Sequence, residues 1–401
     1  MSDLARFLLG PWRAVLVLSL TQIVAWGAIY YTPVLMVPLI AADHGWSLSL
    51  TMSGLSVGIL VAGLVSPRMG ALVDRYGGHR VMPVGSLLGA LGLFAITHAT
   101  HPAAYFAVWA VLGVAMAGSL YDPAFASLGR IFGAAARRPI TALTLAGAFA
   151  STVSWPVTRI LVDTFGWRAT YLAYAAVLAG IAAPLHAFLL PRTRAAAETP
   201  APAGAPALPP KLPAQGRAFL LVVTAFAVYA FVPSGLLANL LAMFARLGLD
   251  PATAVAIGAL FGPCQMAARL CELLFARNVH PLDIARLAVG CLVLAFAGLA
   301  ALGLSPVVAA AFVMLLGLCN GLMTLARGTV PLALFGAAGY GRLIGRIAGP
   351  ALVVQSAAPV VVAFVAEQGS DRMAMALAGL LAVIALSCFL AVPRPFTHRQ
   401  G

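Results

Sequence analysis

Charge is scarce in this chain: Asp, Glu, Lys and Arg make up 9% of its 401 residues, against roughly a quarter in an average soluble domain. Hydrophobic residues make up 62% and the mean hydropathy is +1.00, more apolar surface than one water-soluble core can hide. Lysine is almost missing. Of the 24 Lys+Arg residues only Lys211 is a lysine, and it lies between Pro210 and Leu212. A GxxxxGK[ST] phosphate loop therefore cannot be built, and no lysine is available for a retinal Schiff base inside a helix. The five cysteines, Cys264, Cys271, Cys291, Cys319 and Cys388, all fall within apolar runs, where they act as small hydrophobes and imply no disulfide framework. There is no HExxH, no CxxC pair and no acidic DxxD cluster, so neither a metal site nor a cofactor is expected. His98 and His101 fall in a predicted external loop, and His186 is the lone histidine of a span, read as a packed polar residue. No catalytic acid, metal or Ser–base set can be assembled, so an enzyme is not expected.

What the chain does have is long apolar runs, each near the ~20 residues that span a bilayer as a helix. They fall at about 14–40, 48–69, 81–97, 104–130, 139–162, 168–190, 218–244, 252–275, 284–303, 307–333, 343–366 and 373–392. The first, which follows MSDLARFLLGPWR, is too long and too aromatic for a cleavable signal and reads as a retained helix. Between the sixth and seventh runs lies PRTRAAAETPAPAGAPALPPKLPAQGR (191–217), rich in Pro and Ala. The expected organisation is an all-α polytopic membrane protein with an N-terminal six-helix bundle (1–190), this linker (191–217) and a C-terminal six-helix bundle (218–401).

With the N-terminus placed in the cytoplasm, the external connections hold only Arg168, Arg246 and Arg372, together with Asp43, Asp163, Asp250, Glu367 and Asp371. Once Arg159, Arg269 and Arg327 inside spans are set aside, the remaining eighteen cations fall on the cytoplasmic side, as the positive-inside rule requires. The net charge of +13 is read this way and not as a nucleic-acid surface. Both termini are expected in the cytoplasm, in a membrane of the bacterial inner (plasma) type. FGAA at 132–135 recurs at 335–338, and Pro156 recurs as Pro359, both at an offset of 203. Two homologous six-helix halves explain the recurrence.

After the second run the sequence reads Gly70-Ala-Leu-Val-Asp74-Arg75-Tyr-Gly77-Gly-His79-Arg80. It resembles the G-x-L-x-D-R-x-G-x-R loop signature of the major facilitator superfamily. Gly70 permits close helix approach, Gly77 a tight turn, and an acid among arginines can latch helices together at the cytoplasmic face. His44-Gly45-Trp46-Ser47, Gly166-Trp167-Arg168 and Tyr121-Asp122-Pro123-Ala124-Phe125 are similar to the bacterial branch related to monocarboxylate and oxalate–formate transporters. The resemblance implies the twelve-helix fold in two pseudo-symmetric halves. It also implies a monomer that moves a small-molecule solute, with protons, across the lipid bilayer. For Asp74 it implies three partners: Arg75, Arg130 and the N-terminal end of the eleventh span.

Ionisable residues inside spans cost about 2.5 to 3.5 kcal/mol on insertion scales and mark function or pairing. Gln265, Arg269 and Glu272 share one face of the eighth run, at i, i+4 and i+7. Arg269 also falls where the resembled branch carries its substrate- and proton-coupled arginine; the alternative is an Arg269–Glu272 pair sealing one end. Asn320, Thr324 and Arg327 share one face of the tenth run, and Asp122 is the only carboxylate of the fourth. By resemblance the first, fourth, seventh and tenth spans line the central cavity, so Asp122 and Arg327 are expected to pair there; the alternative is that both reach the headgroups. Gln22, Trp26 and Tyr30, with Tyr31 beside them, form a stripe that suits either a pocket wall or helix packing. Pro33, Pro156, Pro233, Pro350 and Pro359 interrupt spans, as bending helices of a rocking carrier would. The function expected is secondary active transport of a small, anionic organic solute by alternating access with proton coupling. Efflux of a toxic or amphipathic compound is the alternative, and a ligand sensor is a third reading.

Overall fold

The structure, a computed structural model, describes residues 10–192, 213–276 and 278–393. The segment ahead of the first span and most of the 191–217 linker lie outside the described residues. No strand occurs among those described.

The helices start where the sequence supplies side-chain acceptors for their first N–H groups. The Ser47, Asp250, Ser305 and Ser370 side chains each accept from a backbone N–H three residues on, at 3.0–3.3 Å. The His101 ring, of the supposed external loop, accepts from the N–H two residues on, that of Ala103, at 3.2 Å. Pro102, Pro251 and Pro306 follow their caps at the position where a missing N–H costs nothing.

Ten helical stretches among the described residues are long and apolar enough to cross a bilayer. One of them, Pro102–Leu189, has 88 residues. As a straight helix it would reach roughly 130 Å, over four times the hydrocarbon thickness. Its non-helical glycines, Gly133 (φ 57°) and Gly166 (φ 78°), divide it into 102–132, 137–165 and 167–189. These match the fourth, fifth and sixth expected spans, so the twelve expected segments are all helical.

Several spans are interrupted. The first comprises α1 (Arg13–Ala25), a π-helical turn (Trp26–Tyr31) and α2 (Pro33–His44). The second is one helix, α3 (Leu48–Tyr76), and α4 (Gly78–Ile96) follows at once. This corrects the sequence reading, in which Gly70–Tyr76 belonged to a loop. Nothing in that stretch breaks a helix, and the reversal is made at Gly77 alone (φ 82°, ψ 156°), a conformation in which a side chain would be strained. The fourth span is broken at extended Leu120 into α5 (Pro102–Ser119) and α6 (Tyr121–Phe132). The fifth and sixth contain α7 (Arg137–Gly147) and α8 (Ala150–Val177), ending in π-helical turns at Leu178–Ala182 and Leu185–Leu189. Later come α9 (Arg217–Arg246), then the eighth span as α10 (Pro251–Gly258) and α11 (Phe261–Phe275). The series ends with α12 (Pro281–Leu302), α13 (Pro306–Phe335), α14 (Tyr340–Gln368) and α15 (Asp371–Ala391).

The chain divides into two compact units, Met1–Ala195 with Gly339–Ser356, and Ala196–Ala338 with Ala357–Gly401. In the first, Trp109, Tyr105, Tyr171, Leu93, Ile96 and Met36 form the core, and Gly54 and Gly58 of α3 lie directly under the Trp109 ring. His186 is fully buried there between Ser86 Oγ (3.1 Å from Nδ1) and Thr21 Oγ1 (2.8 Å from Nε2). Thr21 already donates to Val17 C=O, so it accepts from His186. This is a satisfied packing histidine. In the second unit, edge-to-face pairs Phe226–Phe389 and Phe296–Phe312 fill the space between helices.

Each unit also holds an ion pair between two of its spans, the first and sixth in one and the seventh and twelfth in the other. In the first, Arg168 Nη2 meets Asp43 Oδ2 at 2.6 Å. In the second, Arg246 makes a two-pronged contact with Asp371 at 2.7 and 2.9 Å. The offset of 203 maps Asp43 onto Arg246 and Arg168 onto Asp371, so the pair recurs with its charges exchanged. Gly45 and Gly248, related by the same offset, both adopt positive φ (65° and 99°).

Candidate functional site

The Asp74 region is a close helix crossing. A Cβ on Gly70 would strike Gly341 C=O, one on Gly345 would strike Ser66 C=O, and one on Gly63 would come within 2.9 Å of Gly349 C=O. With glycine at these positions the backbones of α3 and the start of α14 touch. The Asp74 carboxylate then reaches the first turn of α14, accepting from Gly341 N–H at 2.8 Å and Arg342 N–H at 2.7 Å. Those groups have no partner within their own helix, and the helix dipole adds to the attraction. Arg130, at the end of α6, donates to the Asp74 backbone carbonyl. Arg75, expected among the partners of Asp74, instead lies over the Tyr76 ring, 5.1 Å from its centroid. Arg80 is exposed.

Asp122 opens α6, in the first turn after the Leu120 break, where a carboxylate favours the helix dipole. With Ser66, Gly70, Gly341 and Gly345 it lines a narrow gap beside this crossing. Asp122 belongs to the first unit and Arg327 to the second.

The first-span stripe divides into two kinds of residue. Gln22 is fully buried: its amide donates to Ser119 C=O at 2.7 Å, and its oxygen accepts from the Trp26 indole at 3.1 Å. It is therefore an anchor for Trp26. The π-helical turn adds a residue to the helical repeat, which brings both Tyr30 and Tyr31 against Trp26, with centroids 4.9 and 6.1 Å away. Tyr121 joins the cluster at 5.0 Å from Trp26, and Trp155 at 6.1 Å from Tyr31. Trp155 was not among the residues singled out from the sequence; no one-dimensional spacing relates it to Tyr31, 124 residues earlier.

In the second unit Gln265, Arg269 and Glu272 share α11, and Arg269 and Glu272 are each only 5% exposed. Arg269 Nη2 donates to Gln265 Oε1 at 3.2 Å. The α11 backbone is pressed onto α13 because Gly317 and Gly321 leave room for Phe261 and Gln265. On α13, Asn320 accepts from the Tyr229 hydroxyl at 3.2 Å, and Thr324 donates back to Asn320 C=O at 2.8 Å. Arg327 follows, half-buried, on the same face. Gln265, Arg269 and Asn320 thus come from two helices in direct contact. Among the described residues no group of three or more His, Cys, Asp and Glu side chains could hold a metal ion.

Comparison with known proteins gives this geometry a family. The profile of the Major Facilitator Superfamily matches residues 18–324. Monocarboxylate transporter 11 of Mus musculus is 31% identical over 198 residues, 47% of this chain and 39% of that protein. Monocarboxylate transporter 1 of Rattus norvegicus is 30% identical over 131 residues, 32% of this chain and 25% of that protein. The similarity thus spans well under half the length of these curated relatives. The crystal structure of the human organic anion transporter MFSD10 (TETRAN) superposes with a TM-score of 0.70 at 15% identity, covering 97% of this chain and 100% of that one. FucP, a major facilitator transporter in its outward conformation, does so with a TM-score of 0.70 at 12% identity, covering 95% and 98%. At such identities the superpositions speak for the fold. With the profile running over most of a chain built from apolar membrane-crossing helices, this protein belongs to the major facilitator superfamily and is a multi-pass membrane protein.

Proposed function

We propose that the protein is a secondary active carrier of a small organic anion, working by alternating access in a bacterial-type inner membrane with both termini cytoplasmic and with protons as the coupling ion. The observation that carries this reading is Arg269. A guanidinium only 5% exposed in an apolar bundle, oriented by Gln265, is costly to keep and matches a carboxylate bidentately. The similarity to monocarboxylate transporters points the same way. Asn320, Thr324 and Arg327 on the neighbouring helix supply further polar contacts for the solute. Asp122 carries the proton, and Asp74 with Gly70, Arg75, Gly77 and Arg80 forms the cytoplasmic latch. The protein works as a monomer. The test is reconstitution into proteoliposomes under an imposed pH gradient with a panel of monocarboxylates, dicarboxylates and amphipathic drugs. Accumulation of a carboxylate against its gradient, on the side of higher pH, is the expected result. Movement of drugs alone would reject the anion reading.

A further inference from the structure

The aromatic cluster of the first unit points to the chemistry of the solute's non-ionic part. Five rings, Trp26, Tyr30, Tyr31, Tyr121 and Trp155, come together from the π-helical turn, α6 and α8, with neighbouring centroids 4.9 to 6.1 Å apart. The four other than Trp155 are half-buried, and Trp155 is 44% exposed. The cluster thus keeps accessible ring surface, most of it on Trp155.

The polar tips of three of these rings are already engaged with the protein. The Trp26 indole donates to buried Gln22, the Trp155 indole donates to Tyr31 C=O at 3.3 Å, and the Tyr30 hydroxyl accepts from Gln355 at 3.4 Å. These bonds fix the ring planes in advance and leave the π faces as the surface on offer. Gly27 completes the arrangement: a Cβ there would come within 2.8 Å of Ser154 Cβ, so the glycine lets α8 approach closely enough for Trp155 to meet Tyr31. Fixed π faces discriminate planar unsaturated groups from saturated ones, by stacking or edge-to-face contact.

We infer that this cluster is the subsite for a planar, unsaturated ring on the transported solute, so that the solute carries an aromatic or other conjugated ring. This statement stands apart from the anion reading of the proposed function.

The experiment separates the two. The purified full-length protein is titrated calorimetrically with two matched pairs, benzoate against cyclohexanecarboxylate, and benzylamine against cyclohexylmethylamine. The aromatic member should bind about two- to tenfold more tightly, the range expected for such ring contacts. Trp26→Leu and Trp155→Leu should bring that ratio close to one. Trp155→Phe, which keeps a ring, should retain most of it. Equal binding within both pairs, or a ratio that survives both leucine variants, overturns the inference and leaves the anion reading standing. A ring preference confined to the amines keeps the subsite and overturns the anion reading, and failure of all four compounds to bind overturns both.

Discussion

Arg269 and Asp122 pose the sharpest questions at the residue scale. Arg269→Lys keeps the charge but loses the forked geometry, and a charged hydrogen bond is worth about 1.5–3 kcal/mol. Its kcat/KM for uptake should fall about 10- to 100-fold; an unchanged value in a proteoliposome assay would remove Arg269 from the substrate site. Asp122→Asn cannot release a proton, so it should abolish proton-driven accumulation and spare exchange of labelled for unlabelled solute. Full accumulation by that variant would move the proton elsewhere, with Glu272 the next candidate. Arg269 was legible in the sequence because a charge inside an apolar run stands out without any structure. Gln22 was legible as a polar residue in a span, but not as an anchor, since its partner Ser119 lies 97 residues away. Nothing within a helical period of Gln22 signals that bond.

At the scale of elements, the sequence shows where helices run more readily than where they break. The apolar runs end at caps, glycines and charges that are written locally. The break at Leu120 is flanked by Gly118 and Pro123, the α10–α11 break by Gly258 and Pro263, and the π-helical turn contains Gly27 and is followed by Pro33. Yet α3 runs unbroken through Gly63 and Pro67, so neither residue type marks a break by itself. The α3–α14 crossing is the element-level feature with a direct functional reading. Replacing the Asp74 carboxylate weakens a contact to a helix N-terminus worth about 0.3–1 kcal/mol. Asp74→Asn should accordingly raise the modification rate of a cysteine placed at exposed Tyr76, in a background lacking the native cysteines, by up to about fivefold. An unchanged rate would leave the latch without support. Gly345→Val should act more strongly, because its side chain meets the Ser66 carbonyl, and no flexible group can yield there.

At the scale of the whole molecule, the repeat inferred from FGAA and a recurring proline extends to paired structural positions. The Asp43–Arg168 pair is partly exposed, 38% and 46%, and such pairs contribute at most about 1 kcal/mol. Asp43→Arg alone places two cations together and should lower the thermal unfolding midpoint in detergent by a few degrees. Asp43→Arg combined with Arg168→Asp should recover most of that loss. Failure of the double variant to recover would mean that the two residues matter separately, for instance through the stacking of Arg168 on Trp167. Sequence comparison of the halves by identity misses this relation, because all four positions count as mismatches. The exchange has an electrical meaning. In the first unit the bond runs from an anion on the first span to a cation on the sixth, and in the second the direction is reversed. Either way the pair sums to zero charge, so these four residues add no net charge of their own. A charged solute approaching these pairs is then neither drawn in nor repelled over a Debye length by these four residues.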